Sequence, residues 1–267
     1  MIYWIIWPKY MHKQKIAANF NRVALNYNKV ASLQHSVGHK LMSYLNVVKI
    51  TPPTILDIGG ATGYFAELLS SRYPRSRIIN IDIAQNMLFE ALSYQNLLCA
   101  DFDYLPLISE SVDLIFANMS LQWSIDLNIT LTELNRMLKP GGLLIFSTLG
   151  SETFCELRNS WRQIDNHAHI NIFVSVATLQ NILCNNNFTV SLNTEKVIQT
   201  YSTMSQLLYY LKAIGANYVY NENRSKGLLT RSKLTQLESI YEQYRDQNNQ
   251  LAATFEIIYG LAWRNKL

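Results

Sequence analysis

The chain has 267 residues, 49% of them hydrophobic, which predicts one domain with a sizeable core. Its net charge of +4 is too small for the dense basic clusters of a nucleic-acid-binding protein, so we expect no nucleic-acid partner. The three cysteines, an odd number at wide spacing, indicate neither a disulfide framework nor a metal site and favour a reducing, cytoplasmic location. They are Cys99, Cys155 and Cys184.

The N-terminal segment 1–12 is rich in apolar residues but does not have the pattern of a membrane or targeting segment. Its apolar run is far below the roughly 20 residues that a spanning helix needs, and it lacks a basic region and a cleavage site. Two interpretations stay open: an aromatic leader, or a misassigned start in a protein that begins at Met11. Residues 13–267 are expected to form one domain with no membrane partner, and a monomer is favoured.

Helical spacing over residues 13–46 precedes an alternation of strands and helices. Short apolar runs predict strands at 55–59, 77–82, 97–101, 112–118 and 143–149. Amphipathic segments predict helices between them at 64–73, 84–94 and 126–139, and Pro140-Gly141-Gly142 should end the last of these helices. Further along, we expect helices near 152–164, 177–185 and 203–213, and strands near 189–199 and 253–263.

This alternation predicts an α/β fold with a doubly wound, mostly parallel sheet. Ligands of such sheets bind at the carboxyl ends of the strands, where the strand order reverses. The segment at about 200–250 is polar and rich in tyrosine and asparagine. We expect it to form a helical lid over that edge of the sheet.

A glycine loop, Asp57-Ile58-Gly59-Gly60-Ala61-Thr62-Gly63, connects the first strand to the helix after it. Glycines in that place let the backbone approach a ligand closely, although a tight turn without a ligand has the same pattern. Asp82 ends the next strand, 82 minus 63 or 19 residues after the loop. A carboxylate there accepts hydrogen bonds from a ribose diol, or else acts as a helix N-cap.

The charge of Asp57 disfavours a dinucleotide, because it would place a carboxylate near the pyrophosphate. S-adenosylmethionine fits better, with its amino acid at the glycine loop, its ribose at Asp82 and its adenine at Asp101 and Phe102. The stretches VDLIFANMSLQW and LNRMLKPGGLLIFST resemble later motifs of S-adenosylmethionine-dependent methyltransferases. That resemblance implies N-terminal helices, a seven-stranded Rossmann-like sheet with its last strand antiparallel, and Asn118 as a further cofactor-binding residue.

From about Lys15 to Arg264 the chain more narrowly resembles the malonyl-acyl-carrier-protein O-methyltransferases of biotin synthesis. The matching segments are AANFNRVALNYNKVASLQ, LPLISESVDLIFANMSLQW, KPGGLLIFSTLGSETFCELRNSW, LLYYLKAIGAN and AATFEIIYGLAW. The last two discriminate best, because they lie in the lid and last strand rather than in the shared cofactor core. The resemblance implies methylation of the free carboxylate of a malonyl thioester, on acyl carrier protein or coenzyme A.

This chemistry requires no general base, because a malonyl carboxylate is already ionised at neutral pH. The site must instead position the reactants in line and exclude water. Tyr27, a tyrosine in that family too, is expected to close over the methyl group, and Gln122 and Trp123 to shape the transfer pocket. Core packing explains Tyr27 and Trp123 equally well. Four basic lid residues are candidates for the malonyl carboxylate or an acidic carrier protein: Lys212, Arg224, Lys226 and Arg231.

No metal is predicted, because His167 and His169 have no carboxylate or cysteine neighbour that would complete a site. Ala61 departs from the family, which has glycine at the middle glycine place of its loop. If that place needs a positive φ, alanine costs about 1 kcal/mol, and its methyl otherwise crowds the cofactor. Two alternatives therefore stay open: a small-molecule, quinone-type methyltransferase, and a non-catalytic assembly factor with the methyltransferase fold.

Overall fold

A mixed seven-stranded sheet forms the centre of the computed structural model, which describes residues 3–91, 96–221, 223–224 and 230–266, with side chains from Met11 onward. The strand order is β3-β2-β1-β4-β5-β7-β6. The first five strands are parallel, and the last runs antiparallel to both of its neighbours. The predicted fold class is therefore confirmed. The strands are β1 (Thr54–Ile58), β2 (Arg77–Asp82), β3 (Leu97–Cys99), β4 (Val112–Asn118), β5 (Leu138–Leu149), β6 (Phe188–Tyr201) and β7 (Leu251–Arg264).

Helices cover both faces of the sheet, and several have a side chain at the N-cap that satisfies a backbone amide. Asp126, Ser175, Thr203 and Thr230 each accept a hydrogen bond from the amide three residues later. The helices are α1 (Tyr3–Val23), α2 (Tyr27–Val30), α3 (Ser32–Tyr44), α4 (Tyr64–Arg72), α5 (Gln85–Glu90), α6 (Leu127–Met137), α7 (Cys155–Arg162), α8 (Val176–Asn185), α9 (Met204–Ala213) and α10 (Arg231–Tyr241).

The core lies on both sides of the sheet because alternate residues of each central strand point to opposite faces. In β4, Leu114 and Phe116 belong to one buried cluster, together with side chains of α3, α4 and α7. Ile115 and Ala117 belong to the other, together with side chains of α6 and α8. This double burial explains why the parallel strands read as continuous apolar runs.

The predicted boundary before β5 is wrong. The helix of 126–139 ends at Met137, and the strand begins at Leu138 rather than at 143. Val112 pairs with Leu138 and Leu114 with Leu143, so β5 contains a bulge. Gly141, at a φ of +80°, allows this bulge. The prediction that the Pro-Gly-Gly segment ends the helix is therefore wrong: the helix ends three residues before Pro140, and the segment lies inside the strand.

The long helix predicted before the sheet is divided into three pieces. A 3-10 turn over Ala24–Asn26 separates α1 from α2, and Ala31 separates α2 from α3. The backbone of most of the leader continues α1, and the start at Met11 and the limits 1–12 and 13–267 stay predictions. No helix in the described parts of the chain is long and apolar enough to cross a membrane.

The lid predicted at about 200–250 contains α9 and α10, with a short 3-10 turn over Glu242–Tyr244. Leu207 of α9 and Leu237 and Tyr241 of α10 are buried in the core cluster that contains α3 and α7. The lid is therefore anchored to the body of the protein by apolar contacts.

Candidate functional site

Two neighbouring cavities lie at the carboxyl ends of the central strands. The first, with an empty volume of about 360 Å³, is lined by the glycine loop, Asp57 and Asn118, and we call it the cofactor cavity. The second, of about 590 Å³, lies between α1, the end of β5 and the lid, and we call it the acceptor cavity. Ligands of such sheets bind at this place. Tyr27 and Gln34 line both cavities and so lie at their junction.

The glycine loop turns sharply from β1 into α4. Gly59, Ala61 and Gly63 all have positive φ, at +64°, +47° and +79°. The amides of Gly59 and Gly60 donate to the carbonyl of Ile81, at 2.8 and 3.1 Å, which ties the loop to β2. The middle place of the glycine pattern thus has the left-handed conformation that favours glycine, and the chain fills it with alanine.

Gly60 lies against two buried polar side chains below the loop. A Cβ at this position would come within 2.2 Å of Asn80 Oδ1 and 2.7 Å of Asp57 Oδ2. Neither oxygen has a hydrogen-bond partner among the described residues. The loop therefore requires glycine at position 60 in its observed geometry, and it covers a carboxyl oxygen and an amide oxygen.

Two acidic residues, Asp57 in the wall of the cofactor cavity and Asp82 bound to its glycine loop, have raised pKa values. Asp57 is 1% exposed, and its burial, with the neighbouring charge of Asp82, raises its pKa to about 7. Burial likewise raises the pKa of Asp82 to about 6, against the lowering effect of backbone amides. A cationic ligand in this cavity would stabilise both ionised carboxylates.

Asp82 holds the glycine loop in place. Its Oδ2 accepts a hydrogen bond from the Ala61 amide at 3.0 Å, and its Oδ1 accepts one from the Ala84 amide at 2.7 Å. Ala84 is the N-cap residue of α5. The alternative that Asp82 is the N-cap of α5 is therefore wrong: its carboxylate holds the glycine loop and the residue that begins the helix. Its ribose contact stays a prediction.

The predicted adenine contacts, Asp101 and Phe102, are covered by a lysine that sequence reasoning missed. Lys13 Nζ lies 2.9 Å from Asp101 Oδ1 and 2.8 Å from Asp103 Oδ2, and 4.3 Å from the centre of the Phe102 ring. Lys13 is only 6% exposed. The repeated acid in Asp101-Phe102-Asp103 was the available signal, because two closely spaced carboxylates favour a nearby cation.

The acceptor cavity has mainly apolar walls and a few neutral polar groups. Its polar lining residues are Tyr27, Gln34, Gln122 and Asn171, and no lysine or arginine is among its lining residues in the described part of the chain. Burial raises the pKa of Tyr27, so its hydroxyl stays protonated and able to donate. Gln34 Oε1 is buried and has no hydrogen-bond partner among the described residues.

Asn118 and Gln122, both predicted as site residues, form hydrogen bonds to backbone carbonyls near the junction of the two cavities. Asn118 Nδ2 donates to the carbonyl of Gln34 at 2.9 Å and its Oδ1 accepts from Ser147 Oγ at 2.8 Å. Gln122 Nε2 donates to the carbonyl of Met119 at 2.7 Å. Trp123 packs edge-on against Phe20 of α1 and lines the acceptor cavity. Gln34 itself was missed, since nothing in its helical segment distinguishes it.

Of the basic residues proposed for substrate binding, the three that the structure describes do not line either cavity. Lys212 and Arg231 are exposed, at the end of α9 and the start of α10. Arg224 is half-buried, with its guanidinium carbon 5.3 Å from the centre of the Tyr218 ring. Lys226 lies outside the described residues. Contact of these residues with a carrier protein stays a prediction.

The expectation that His169 has no carboxylate neighbour is wrong. Its Nε2 lies 2.7 Å from Asp165 Oδ1, and its ring stacks on Trp161 at 3.6 Å. Lys233 of α10 binds the other oxygen of Asp165 at 2.6 Å. These contacts join α7 to the lid, and the described residues contain no cluster of three or more His, Cys, Asp or Glu that fits a metal ion.

Comparisons with known proteins agree with this geometry. A family model described as a methyltransferase domain matches residues 56–146. The malonyl-acyl-carrier-protein O-methyltransferase of Methylovorus sp. (strain MP688) is 37% identical, covering 94% of this chain and 89% of that protein. The protein of the same name from Laribacter hongkongensis is 34% identical, covering 96% and 90%.

Solved structures share the fold at low sequence identity. The YcgJ protein of Bacillus subtilis superposes with a TM-score of 0.62 at 16% identity, covering 86% of this chain and 99% of that one. A putative methyltransferase from Bacillus halodurans superposes with a TM-score of 0.59 at 15% identity, covering 86% and 100%.

Proposed function

Because the chain belongs to the malonyl-acyl-carrier-protein O-methyltransferase family, we propose that it methylates malonyl-acyl carrier protein as an early step of biotin synthesis. The methyl group comes from S-adenosylmethionine, and the acceptor is the free carboxylate of the malonyl thioester. The observation that carries this proposal is the meeting of a cofactor cavity and an acceptor cavity at Tyr27 and Gln34. Such a junction brings two ligands into contact end to end.

The residues of the cofactor cavity fit a cationic amino-acid ligand. Asp57 lines the cavity, Asp82 binds its glycine loop, and a bound cation would favour the ionised form of both carboxylates. When bound, S-adenosylmethionine supplies an electrophilic methyl group on a positively charged sulfur. Asp82 and the pair Asp101 and Phe102 are proposed to contact its ribose and adenine, and Asn118 lines the same cavity.

The residues at the junction orient the acceptor without neutralising it. A lysine or arginine paired with the malonyl carboxylate would lower its nucleophilicity, and the acceptor cavity has neutral donors instead. We assign the protonated hydroxyl of Tyr27 and the amide of Gln34 to holding the carboxylate in line. Apolar walls that include Phe20, Trp123 and Phe255 exclude water from the transfer.

Methyl transfer can be measured directly by mass spectrometry of malonyl-acyl carrier protein after incubation with S-adenosylmethionine. We expect a gain of one methyl group, and growth without biotin when the gene is placed in a strain that lacks this methyltransferase. A quinone acceptor with no reaction on malonyl thioesters would support the small-molecule alternative. A folded protein that does not bind S-adenosylmethionine in calorimetry would support the assembly factor.

Variants at the junction test the proposed roles. Tyr27→Phe and Gln34→Ala should each lower kcat by about tenfold or more, since loss of one positioning group typically costs a few kcal/mol. Cofactor affinity should change less than kcat does. Gln163→Ala, which removes an exposed amide on the surface, is the matched control. Unchanged kcat in both variants would contradict this assignment. Cytoplasmic location and a monomeric state are tested separately, by fractionation and light scattering.

A further inference from the structure

A cluster of basic side chains surrounds Tyr218 beside the acceptor cavity. The Tyr218 hydroxyl and His12 Nδ1 are 2.6 Å apart. Lys15 Nζ lies 6.0 Å from the centre of the Tyr218 ring, and the Arg224 guanidinium carbon lies 5.3 Å from it. Tyr218 itself is buried, at 8% exposure. One cation from α1 and one from the lid segment therefore lie within about 6 Å of the centre of the same aromatic ring.

The two cations of this cluster have free charge. In the described part of the chain, neither Lys15 nor Arg224 takes part in an ion pair, whereas Lys13 on the same helix has two. Lys15 is exposed and Arg224 is half-buried. Contact with an aromatic ring orients a guanidinium without neutralising it. The cluster is therefore suited to bind an anion.

The cluster lies at a defined distance from the acceptor cavity. Asn171 lines that cavity, donates to the Tyr218 carbonyl at 2.9 Å and accepts from the Tyr220 amide at 3.0 Å. On α1, Phe20 lines the same cavity and follows His12 by eight residues. At 1.5 Å of rise per residue, this separation is about 12 Å.

We propose that Lys15 and Arg224 bind the phosphate of the pantetheine arm that carries the malonyl group. This inference rests on the proposed function, because a pantetheine thioester brings such a phosphate to the site. About 13 bonds separate that phosphorus from the thioester sulfur, roughly 15 Å at the reach of an extended chain. The arm is therefore long enough to join the cluster to the acceptor cavity.

A phosphate group suits this cluster better than the carboxylates on the surface of an acidic protein. Arginine and lysine make short, charge-assisted hydrogen bonds to phosphate oxygens, and the planar guanidinium bridges two of them. Acyl carrier protein and coenzyme A both contain the phosphate at the same distance from sulfur. Recognition of that group would therefore apply equally to either carrier.

Four malonyl thioesters separate the possible contacts: malonyl-acyl carrier protein, malonyl-coenzyme A, malonyl-4′-phosphopantetheine and malonyl-pantetheine, which lacks the phosphate. Lys15→Gln and Arg224→Gln should each lower kcat/KM by about tenfold on the first three, and leave malonyl-pantetheine unchanged. Lys49→Gln is the matched control, because it removes an equal charge from an exposed residue before the amino end of β1. It should leave kcat/KM unchanged for all four thioesters. Circular dichroism and thermal unfolding check that the variants fold.

Other outcomes overturn the inference in distinguishable ways. Equal losses with and without the phosphate would mean that the two residues support the fold of the pocket. Losses confined to malonyl-acyl carrier protein would mean that they contact the carrier surface. A wild-type protein that methylates none of the four thioesters would overturn the proposed function and this inference with it.

Discussion

Replacement of Asp57 by asparagine should stabilise the cofactor-free protein and weaken cofactor binding. Asp57 is buried, and its pKa is raised from 3.8 to about 7. That rise corresponds to about 4 kcal/mol of unfolding free energy. Because the folded-state pKa lies above the unfolded value, this stability is fully present below pH 3.8 and is lost as the pH rises through 7. The ionised carboxylate therefore destabilises the free enzyme at pH 8.

The asparagine variant avoids this loss but introduces an amide. Asp57 Oδ2 and Asn80 Oδ1 lie within about 5 Å of each other, because they are 2.7 and 2.2 Å from the Cβ position of Gly60, so the new amide has an acceptor nearby. An amide hydrogen without a partner costs about 1 to 3 kcal/mol. We expect the free energy of unfolding of the variant to exceed that of wild type by about 1 to 3 kcal/mol at pH 8. At pH 5 this difference should be lower by roughly 3 kcal/mol. Affinity for S-adenosylmethionine should fall about 10- to 100-fold.

Urea unfolding at pH 5 and pH 8 measures the stability change, and calorimetry at both pH values measures cofactor affinity. The wild-type affinity should rise between pH 5 and 8 as the two carboxylates ionise. Asp113→Asn is the matched control: this carboxylate is paired with Lys139 at 2.8 Å, so its loss should destabilise the protein at pH 8 and leave cofactor affinity unchanged. A variant at position 57 that is less stable than wild type at pH 8 would refute the reasoning.

Three further substitutions test the cofactor cavity and the lysine that lies over Asp101 and Phe102. Ala61→Gly removes a side chain from a left-handed residue and should tighten S-adenosylmethionine binding in calorimetry; an unchanged or weaker affinity would show that the loop already accommodates alanine. Gly60→Ala places a methyl group 2.2 Å from Asn80 Oδ1 and should weaken cofactor binding at least tenfold, so an affinity equal to wild type would contradict the loop geometry. Lys13→Met keeps an apolar side chain near the ring of Phe102 but leaves Asp101 and Asp103 without their cation. It should lower the free energy of unfolding, measured in urea, by about 3 to 5 kcal/mol. A decrease below 1 kcal/mol would mean that the ion pairs contribute little.

Much of the sheet could be predicted from sequence because its strands are buried on both faces. The bounds of β2 and β4 were predicted to the residue, since each is an apolar run between polar turns. The start of β5 was not, because a proline and two glycines read as a turn unless the bulge opposite β4 is known. Local patterns predict elements, and a bulge depends on the neighbouring strand.

The site was predictable where residues follow strand ends directly. Asp57, Asp82 and Asn118 lie at or near the carboxyl ends of their strands, so a strand prediction places them in the site. Lys13 and Gln34 belong to helices that precede the sheet, and their positions depend on how those helices fold back over the strand ends. Periodicity alone does not indicate that packing.

The position of β7 has a consequence for how the protein assembles. This strand comes after every other strand in the chain, yet it lies inside the sheet, between β5 and β6. During synthesis β6 is therefore complete before β7, its neighbour in the sheet, exists, and the long edge of β5 stays open. Such non-local pairing is slow and leaves apolar edges exposed to aggregation. A chaperone requirement in translation, relieved once residues 251–264 have left the ribosome, would be the expected sign in the cell.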